Sequence, residues 1–411
     1  MDRKTIRNTW TQKEEILSIP LLPKSKKKHA VRTVKHDVIE AEVLEALKLY
    51  REKNVPVTGV LLRDEAMCIA YRHGVDDFFA SNGWLEKFRI RNDVFFRKLH
   101  GKLYAIVNVN FQSYFVAQMR KFLNLGESAA VIQAVVDEHY LELPSILTHY
   151  APRDRLNADE FALFFRGIPQ KSLLFAGESV HGGKVAKERV SVLVIGSAYG
   201  PEFPPIIIGS AAKPRAFAQR GYKEMAETKK LGFHYYNNKS SWMTMSIFDD
   251  ILDLLNSEMV AQNRRVVLFV DNFLGHKVPS RTNMALRFFP PNITSVAQPL
   301  DAGIIKANKD FFRSEMFEDI RKKLHTFTDV SEYIKNVTVY EACMWSVSAL
   351  KSVKLSTWKN CFIKCRFVTE EDFVSTVTDP AENEFLAATS DMSTQSCLNL
   401  LAEINNVLAF Y

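Results

Sequence analysis

A run of five apolar residues, VVLFV at 266–270, constrains the fold more than any other feature, because it ends directly in Asp271 and Asn272. A short apolar run bounded by polar residues is typical of a strand that is buried on both faces. In an open α/β sheet, the functional crevice lies at the carboxyl ends of the parallel strands. A carboxylate there is costly to keep ionised without a partner, and a divalent cation is one such partner. Asp271 is therefore a candidate metal ligand, although Asp also commonly begins turns.

Further strand-like and helical segments surround this run. An amphipathic helix at 246–263 comes before it, and NMALRFFP follows as another strand. Upstream, four segments have the composition of strands: 156–165, 172–176, 189–198 and 204–210. This order predicts an α/β domain with a mixed sheet. The succession resembles a ribonuclease H-like fold, in which carboxylates gather at one edge of the sheet.

Two more carboxylates stand out in this predicted domain. Asp159 lies inside the apolar segment LNADEFALFF, where an acidic pair is unusual for a strand. Asp301 follows FFPPNITSVAQPL and begins a helix, where a carboxylate can alternatively act only as a cap. Glu160 is adjacent to Asp159, but neighbouring side chains of a strand point to opposite faces, so Glu160 is not expected to join the same metal site.

The N-terminal part of the chain has helical periodicity, which predicts helices at 36–54, 58–74 and 80–93. The third helix is expected to bury Trp84, Leu85 and Phe88 and to expose Lys87, Arg89 and Arg91. Three short helices of which the last is basic are typical of a helix-turn-helix DNA-binding module. A three-helix bundle with a solvated basic face is the alternative. Residues 104–150 are predicted to be a helical connector, with its last helix broken at Pro144.

Charge is unevenly distributed along the chain. The net charge is +7 for residues 1–103, +8 for 104–367 and −8 for 368–411. A basic surface attracts phosphate polyanions such as DNA. The run Lys26, Lys27 and Lys28 is expected to contact DNA phosphates or to act as a nuclear import signal, although such runs are often only solvated loops. No apolar run is long enough to span a membrane, and five scattered cysteines suit a reducing compartment.

Several of these segments carry a family resemblance. VPVTGVLLRDEAMCIA and FFASNGWLEKFRIRND resemble the second DNA-binding domain of centromere protein B and of pogo/Tigger transposases. RKTIRNTWTQKEEIL resembles the recognition helix of that family's first helix-turn-helix, whose two preceding helices are absent here. NADE, LFVDN with His276, and PPNITSVAQPLDAGII resemble the catalytic core of pogo/Tigger-type transposases of the mariner superfamily. The family's usual Thr-Gly after Asp-Glu is replaced by Phe161 and Ala162.

The resemblance implies a DNA transposase of the DDE/DDD class. It implies that Asp159, Asp271 and Asp301 hold two Mg²⁺ ions, for which Mn²⁺ can substitute, and that Asn272, His276 and Gln298 support them or contact a phosphate. The implied partner is double-stranded DNA, bound by a homodimer in the nucleus. A domesticated, catalytically inactive DNA-binding protein that resembles centromere protein B is the alternative. The expected division of the chain is 1–35, 36–103, 104–150, 151–367 and 368–411, of which the fourth part is catalytic.

Overall fold

A computed structural model of the chain describes residues 36–99, 126–169, 171–178 and 188–373. The predictions for Lys26, Lys27 and Lys28, for the first helix-turn-helix and for most of the acidic tail lie outside these ranges. Within the described residues, no helix is both long and apolar enough to cross a membrane.

The predicted N-terminal helices are confirmed, with ends that differ by one to two residues. They are α1 (Asp37–Glu52), α2 (Gly59–Arg72) and α3 (Asn82–Arg91). The Thr58 hydroxyl accepts a hydrogen bond from the backbone N–H of Leu61, and that of Ser81 accepts one from Trp84, each at 3.1 Å. These side chains satisfy backbone donors that the first turn of a helix leaves without partners, which fixes where α2 and α3 begin.

A two-stranded sheet follows the three helices. Strand β1 (Val94–Lys98) pairs antiparallel with β3 (Lys171–Phe175), and the Leu173 N–H donates to the Val57 carbonyl at 2.8 Å. The expectation that the segment at 172–176 belongs to the main sheet is therefore wrong. Its sequence specifies an extended strand, but hydrogen-bonding partners are chosen by tertiary contacts that local periodicity does not encode.

The connector helix α4 (Gly126–Leu147) runs through Pro144, so the predicted break there is wrong. Pro144 lacks only the N–H that would reach the carbonyl of Tyr140. Three residues later the helix ends, and the Thr148 N–H still donates to the Pro144 carbonyl at 3.0 Å. A proline this close to the C-terminal end removes one hydrogen bond without ending the helix.

The main sheet is mixed, as predicted. Its strands are β2 (Arg155–Leu163), β4 (Val190–Ser197), β5 (Gly200–Pro201), β6 (Ile206–Gly209), β7 (His234–Asn237), β8 (Val266–Val270) and β9 (Met284–Phe288). Their spatial order is β7-β6-β4-β2-β8-β9, and the short β5 pairs with β4. Strands β2, β8 and β9 are mutually parallel, whereas β4 runs antiparallel to both β2 and β6. Strand β7 was not predicted, because four residues with two tyrosines carry little apolar alternation.

Helices cover both faces of this sheet. The remaining helices are α5 (Arg215–Ala218), α6 (Met245–Ala261), α7 (Thr294–Ala297), α8 (Ile305–Lys322), α9 (Val330–Asn336), α10 (Val339–Lys351) and α11 (Leu355–Lys364). Leu156 and Ala158 belong to the core that contains α6, whereas Phe161 and Leu163 belong to the core that contains α8, α10 and α11. Alternate residues of β2 thus enter opposite cores, which is the three-layer arrangement of an α/β domain.

Polar contacts attach the helical module to the α/β domain. Lys53 Nζ donates to the Phe327 carbonyl at 2.6 Å, and Asn54 Nδ2 donates to Asp329 Oδ2 at 2.7 Å. The first residues of the predicted acidic tail pack on the α/β domain as well, since Asp372 Oδ2 lies 3.5 Å from a guanidinium nitrogen of Arg155.

Candidate active site

Asn157 joins the segments that carry the candidate acids. Its side chain is fully buried, accepts a hydrogen bond from the Leu300 N–H at 2.9 Å and donates one to the Phe269 carbonyl at 2.9 Å. Asn157 and Phe269 are register partners on parallel strands. Two residues further along each strand, Asp159 and Asp271 are consequently neighbours at the same edge of the sheet.

Asp301 directly follows Leu300, in a single wide helical turn that leads into α8. Its carboxyl group lies beside that of Asp159, close enough for each to affect the pKa of the other. Two ionised carboxylates this close repel each other, which favours protonation of one of them. Burial, followed by repulsion from Asp301, raises the pKa of Asp159 well above its usual value. Burial also raises the pKa of Asp301, although the contact with Asp159 opposes the shift.

His276 lies between two carboxylates. Its Nδ1 is 2.6 Å from Asp271 Oδ1, and its Nε2 is 3.0 Å from Glu160 Oε2. The ring is buried and also packs on Phe248, with ring centroids 4.5 Å apart. Burial lowers the pKa of His276, but the hydrogen bonds with Asp271 and Glu160 outweigh it and raise the pKa to about 9. Glu160 faces the core opposite to that of Asp159 and reaches Asp271 only through this histidine.

Lys309 is a charged neighbour of the acid pair that was not predicted. It lies on α8, and its ammonium group is 5.2 Å from the centroid of the Phe161 ring. Burial lowers the pKa of Lys309, while the charges of Asp159 and Asp301 oppose that shift. A lysine roughly two helical turns after Asp301 was the available sequence signal.

The two remaining predicted support residues occupy different environments. Asn272 is exposed at the end of β8. Gln298 is buried in the turn before Asp301, and its Oε1 is a buried acceptor without a hydrogen-bond partner. Of these two residues, Gln298 is therefore the one that presents an unsatisfied buried polar atom.

Sequence profiles of known families match both parts of the chain. The profile of the DDE superfamily endonucleases matches residues 187–362, which include Asp271 and Asp301 but not Asp159. The profile of the Tc5 transposase DNA-binding domain matches residues 37–98, which contain α1, α2 and α3. Over these residues the chain is similar to DDE superfamily endonucleases and to the Tc5 transposase DNA-binding domain. It combines a transposase-like DDE domain with a DNA-binding domain of the helix-turn-helix type.

Individual relatives of this DDE protein agree with the assignment. Mouse Tigger transposable element-derived protein 4 is 30% identical over 289 residues, which cover 70% of this chain and 50% of that protein. Human major centromere autoantigen B is 26% identical over 335 residues, covering 81% of this chain and 53% of that protein. The chain spans about half the length of these relatives.

A likeness to solved structures is much weaker. The strand transfer complex of Mos1 matches with 12% identity and a TM-score of 0.34, over 91% of this chain and 87% of that one. The Mos1 paired-end complex with the left transposon end matches with 11% identity and a TM-score of 0.30, over 89% and 88% of the two chains. Scores this low carry no conclusion about mechanism.

The donor chemistry of the DDE domain fits a divalent cation. Asp159 and Asp301 are neighbours, and Asp271 lies close enough to raise the pKa of both. Mg²⁺ and Mn²⁺ prefer such carboxylate oxygens. Among the described residues, however, no group of three or more His, Cys, Asp or Glu side chains forms a ready metal site. Asp271 Oδ1 instead faces His276 and accepts a hydrogen bond from the Phe273 N–H at 3.3 Å.

The predicted DNA-contacting residues of α3 differ in their surroundings. Lys87 is exposed, as expected. Arg91 is on the surface, but its Nε donates to Glu40 Oε1 of α1 at 2.7 Å. Arg89 is half-buried rather than exposed, with its guanidinium 4.6 Å from the centroid of the Phe96 ring. Packing against β1 accounts for this difference, because β1 covers one side of α3.

Proposed function

We propose that this chain is a DNA transposase of the DDE class, which binds transposon ends and carries out Mg²⁺-dependent phosphodiester hydrolysis and strand transfer. The observation that supports this most directly is the register of β2 and β8, which sets Asp271 level with Asp159, while Asp301 lies beside Asp159. Carboxylates gathered at the carboxyl edge of a mixed sheet offer the oxygen ligands that hard cations prefer.

In this proposal, Asp159, Asp271 and Asp301 hold two Mg²⁺ ions, with Mn²⁺ as a substitute. Bound divalent ions supply charge stabilisation for the attacking and leaving oxygens of a phosphodiester. Lys309 balances the negative charge of Asp159 and Asp301. His276 orients Asp271, since it is hydrogen-bonded to that carboxylate.

The helical module supplies DNA affinity in the same proposal. DNA phosphates contact the α3 residues Lys87, Arg89 and Arg91 and the linker residues Lys26, Lys27 and Lys28. Exposed Lys87 contributes the largest part of this affinity.

Asn272 and Gln298 support the acids or contact the scissile strand. Residues 1–35 and 36–103 bind DNA, 104–150 connect, 151–367 catalyse and 368–411 form an acidic tail. The protein acts as a homodimer on DNA in the nucleus.

A domesticated DNA-binding protein without nuclease activity is the second candidate. Two observations favour it: the absence of a ready three-ligand metal site among the described residues, and the similarity to human major centromere autoantigen B. In this alternative, Asp271 stays bound to His276 and the helical module carries the whole function.

Nicking of supercoiled plasmid by the purified chain separates the two candidates. Mg²⁺ or Mn²⁺ should permit nicking and EDTA should stop it, whereas DNA binding persists in both conditions. Asp159→Asn, Asp271→Asn and Asp301→Asn should each abolish nicking without weakening DNA binding. Asp253→Asn, which removes an exposed carboxylate of α6, is the matched control and should nick normally. A wild-type chain that binds DNA but nicks with neither metal supports the domesticated protein.

A further inference from the structure

A tryptophan is displayed to solvent in the loop between β7 and α6. The side chain of Trp242 is 54% exposed, which is unusual for so large an apolar residue. The guanidinium of Arg189, just before β4, lies 3.8 Å from the centroid of its ring. The pair therefore presents an aromatic surface and a positive charge side by side.

The loop holds Trp242 in a defined position. Asn238 Oδ1 accepts hydrogen bonds from the backbone N–H groups of Ser240 and Trp242, at 3.0 and 3.2 Å, and its Nδ2 donates to the Trp242 carbonyl. Ser241 has a left-handed backbone with φ of 56°, and its carbonyl accepts a 2.6 Å hydrogen bond from the buried Ser191 hydroxyl. The exposure of Trp242 is thus built into the loop, because these contacts leave its ring facing outward.

Arg189 has no acidic partner in the described part of the chain. Its Nη2 donates to the Ser240 carbonyl at 3.2 Å, and the side chain is half-buried. Burial lowers the pKa of Arg189, which means that its charge lacks compensation. Exposed Lys239 in the same loop adds a second positive charge. An anion beside this pair would supply the missing partner.

Trp242 and Arg189 lie on the same rim of the sheet as the acids. Asp159 is the register partner of Val194, and Arg189 is five residues before Val194 on the antiparallel strand. At about 3.3 Å per residue, Arg189 stands roughly 16 Å beyond the level of Asp159 along the strand, and the odd offset places it on the face of Glu160 and α6, opposite to Asp159. One DNA strand would cover that distance with about five nucleotides at about 3.4 Å each.

We propose that Trp242 and Arg189 form a stacking site for an unpaired DNA base, with the base on the exposed part of the Trp242 ring and a neighbouring phosphate on Arg189. Every base has an aromatic face, so the site accepts any sequence and selects for single-stranded character. It positions a strand that has left the duplex at the edge of the sheet where β8 ends in Asp271. This inference rests on the proposed function, since it requires DNA as the substrate.

The test uses the full chain in EDTA, so that cleavage cannot occur, and two DNA probes. One is a blunt duplex, and the other is the same duplex with a five-nucleotide single-stranded 3′ overhang that contains 2-aminopurine. The wild-type chain should bind the overhang probe more tightly and quench its fluorescence, because stacking quenches 2-aminopurine. Trp242→Ala should weaken binding of the overhang probe about 5- to 100-fold, the range measured for loss of one stacked base, and leave duplex binding unchanged.

Three variants separate stacking from general effects. Trp242→Phe keeps an aromatic face and should retain most of the affinity and quenching. Arg189→Gln removes only the charge and should weaken overhang binding with a smaller salt dependence. Val260→Ala changes another exposed apolar residue, on α6, and should have no effect. Circular dichroism verifies that each variant is folded.

Two results would overturn the inference. If Trp242→Ala binds both probes as the wild type does, or weakens both equally, no base stacks on Trp242 while the proposed function stands. If the wild-type chain binds neither probe, DNA is not its substrate, and the proposed function and the stacking site fail together.

Discussion

The imidazole Nδ1 of His276 lies 2.6 Å from Asp271 Oδ1, so a buried ring holds the carboxylate that ends β8. The opposite nitrogen of the same ring is 3.0 Å from Glu160 Oε2. Only the protonated imidazole can donate to both carboxylates at once. Burial alone would lower the pKa of His276, and the two acidic partners raise it to about 9 instead. The position of Asp271 therefore depends, through His276, on Glu160, whose side chain faces the core opposite to that of Asp159.

Glu160→Gln should reduce the stability that His276 contributes in the metal-free chain. Because the folded pKa of His276 is raised, its contribution is fully present below the unfolded pKa of about 6.5 and is lost as pH rises through about 9. That loss is on the order of 3 kcal/mol for the wild type and should shrink by roughly half in the variant. Urea unfolding in EDTA at pH 6, 7.5 and 9 measures both slopes. An identical pH slope in the two proteins would contradict the bridging role of His276.

Asn157→Asp should uncouple the acid-bearing segments. The variant keeps an acceptor for the Leu300 N–H but loses the donor to the Phe269 carbonyl and adds a charge beside Asp159. The expected cost is about 1–3 kcal/mol of unfolding free energy, the usual penalty for an unsatisfied buried group. Nicking should fall while duplex binding is unchanged. Asn256→Asp on α6 is a control near the surface, and equal effects of the two variants would contradict the special role of Asn157.

Local patterns predicted those parts of the fold that depend on local chemistry. The run at 266–270 is a strand because five apolar residues fit a site buried on both faces, and Asp271 was identified because it ends that strand. Asp159 was identified because a carboxylate is rare in an apolar strand. The starts of α2 and α3 depend on equally local chemistry, since the Thr58 and Ser81 hydroxyls satisfy the first free N–H groups of these helices.

Features that depend on distant partners were missed. The pairing of Lys171–Phe175 with Val94–Lys98 joins strands separated by more than 70 residues, and no local period encodes it. Asn157 had a signal, namely a polar side chain two residues before Asp159 in an apolar strand, but its partners lie on β8 and before Asp301. The hydrogen bond between Asp271 and His276 likewise depends on the short turn Leu274–His276 after β8. The local sequence pattern does not predict the geometry of that turn.

Glu178→Ala should destabilise the junction between the helical module and the α/β domain. Arg51 Nη2 lies 2.6 Å from Glu178 Oε1, and the Arg51 side chain is only 6% exposed. Removal of the carboxylate leaves a buried cation without its partner, which should cost about 2–4 kcal/mol. Glu45→Ala breaks the exposed pair with Lys48 and should cost under about 1 kcal/mol. Urea unfolding at pH 7.5 compares them, and similar small losses would mean that solvent compensates Arg51.

His139→Phe should make the protein less sensitive to mild acid. His139 on α4 packs against the ring of Phe289, with centroids 5.7 Å apart, and its Nε2 is buried without a hydrogen-bond partner. Burial lowers the pKa of His139 below its usual value. The unfolded chain therefore binds more protons than the folded one below a pH of about 6.5, so stability is lost as pH falls.

Phenylalanine removes this titration and keeps an aromatic ring against Phe289. The wild type should lose up to about 1.4 kcal/mol relative to His139→Phe between pH 7.5 and pH 5.5, the limit for one histidine that stays neutral in the fold. His276 titrates in the same way in both proteins, so its contribution cancels in the comparison. His149→Phe replaces an exposed histidine and is the control for the exchange of a histidine for a phenylalanine. Urea unfolding at pH 5.5, 6.5 and 7.5 measures the slopes; equal slopes for the wild type and His139→Phe would mean that His139 accepts a proton in the folded chain.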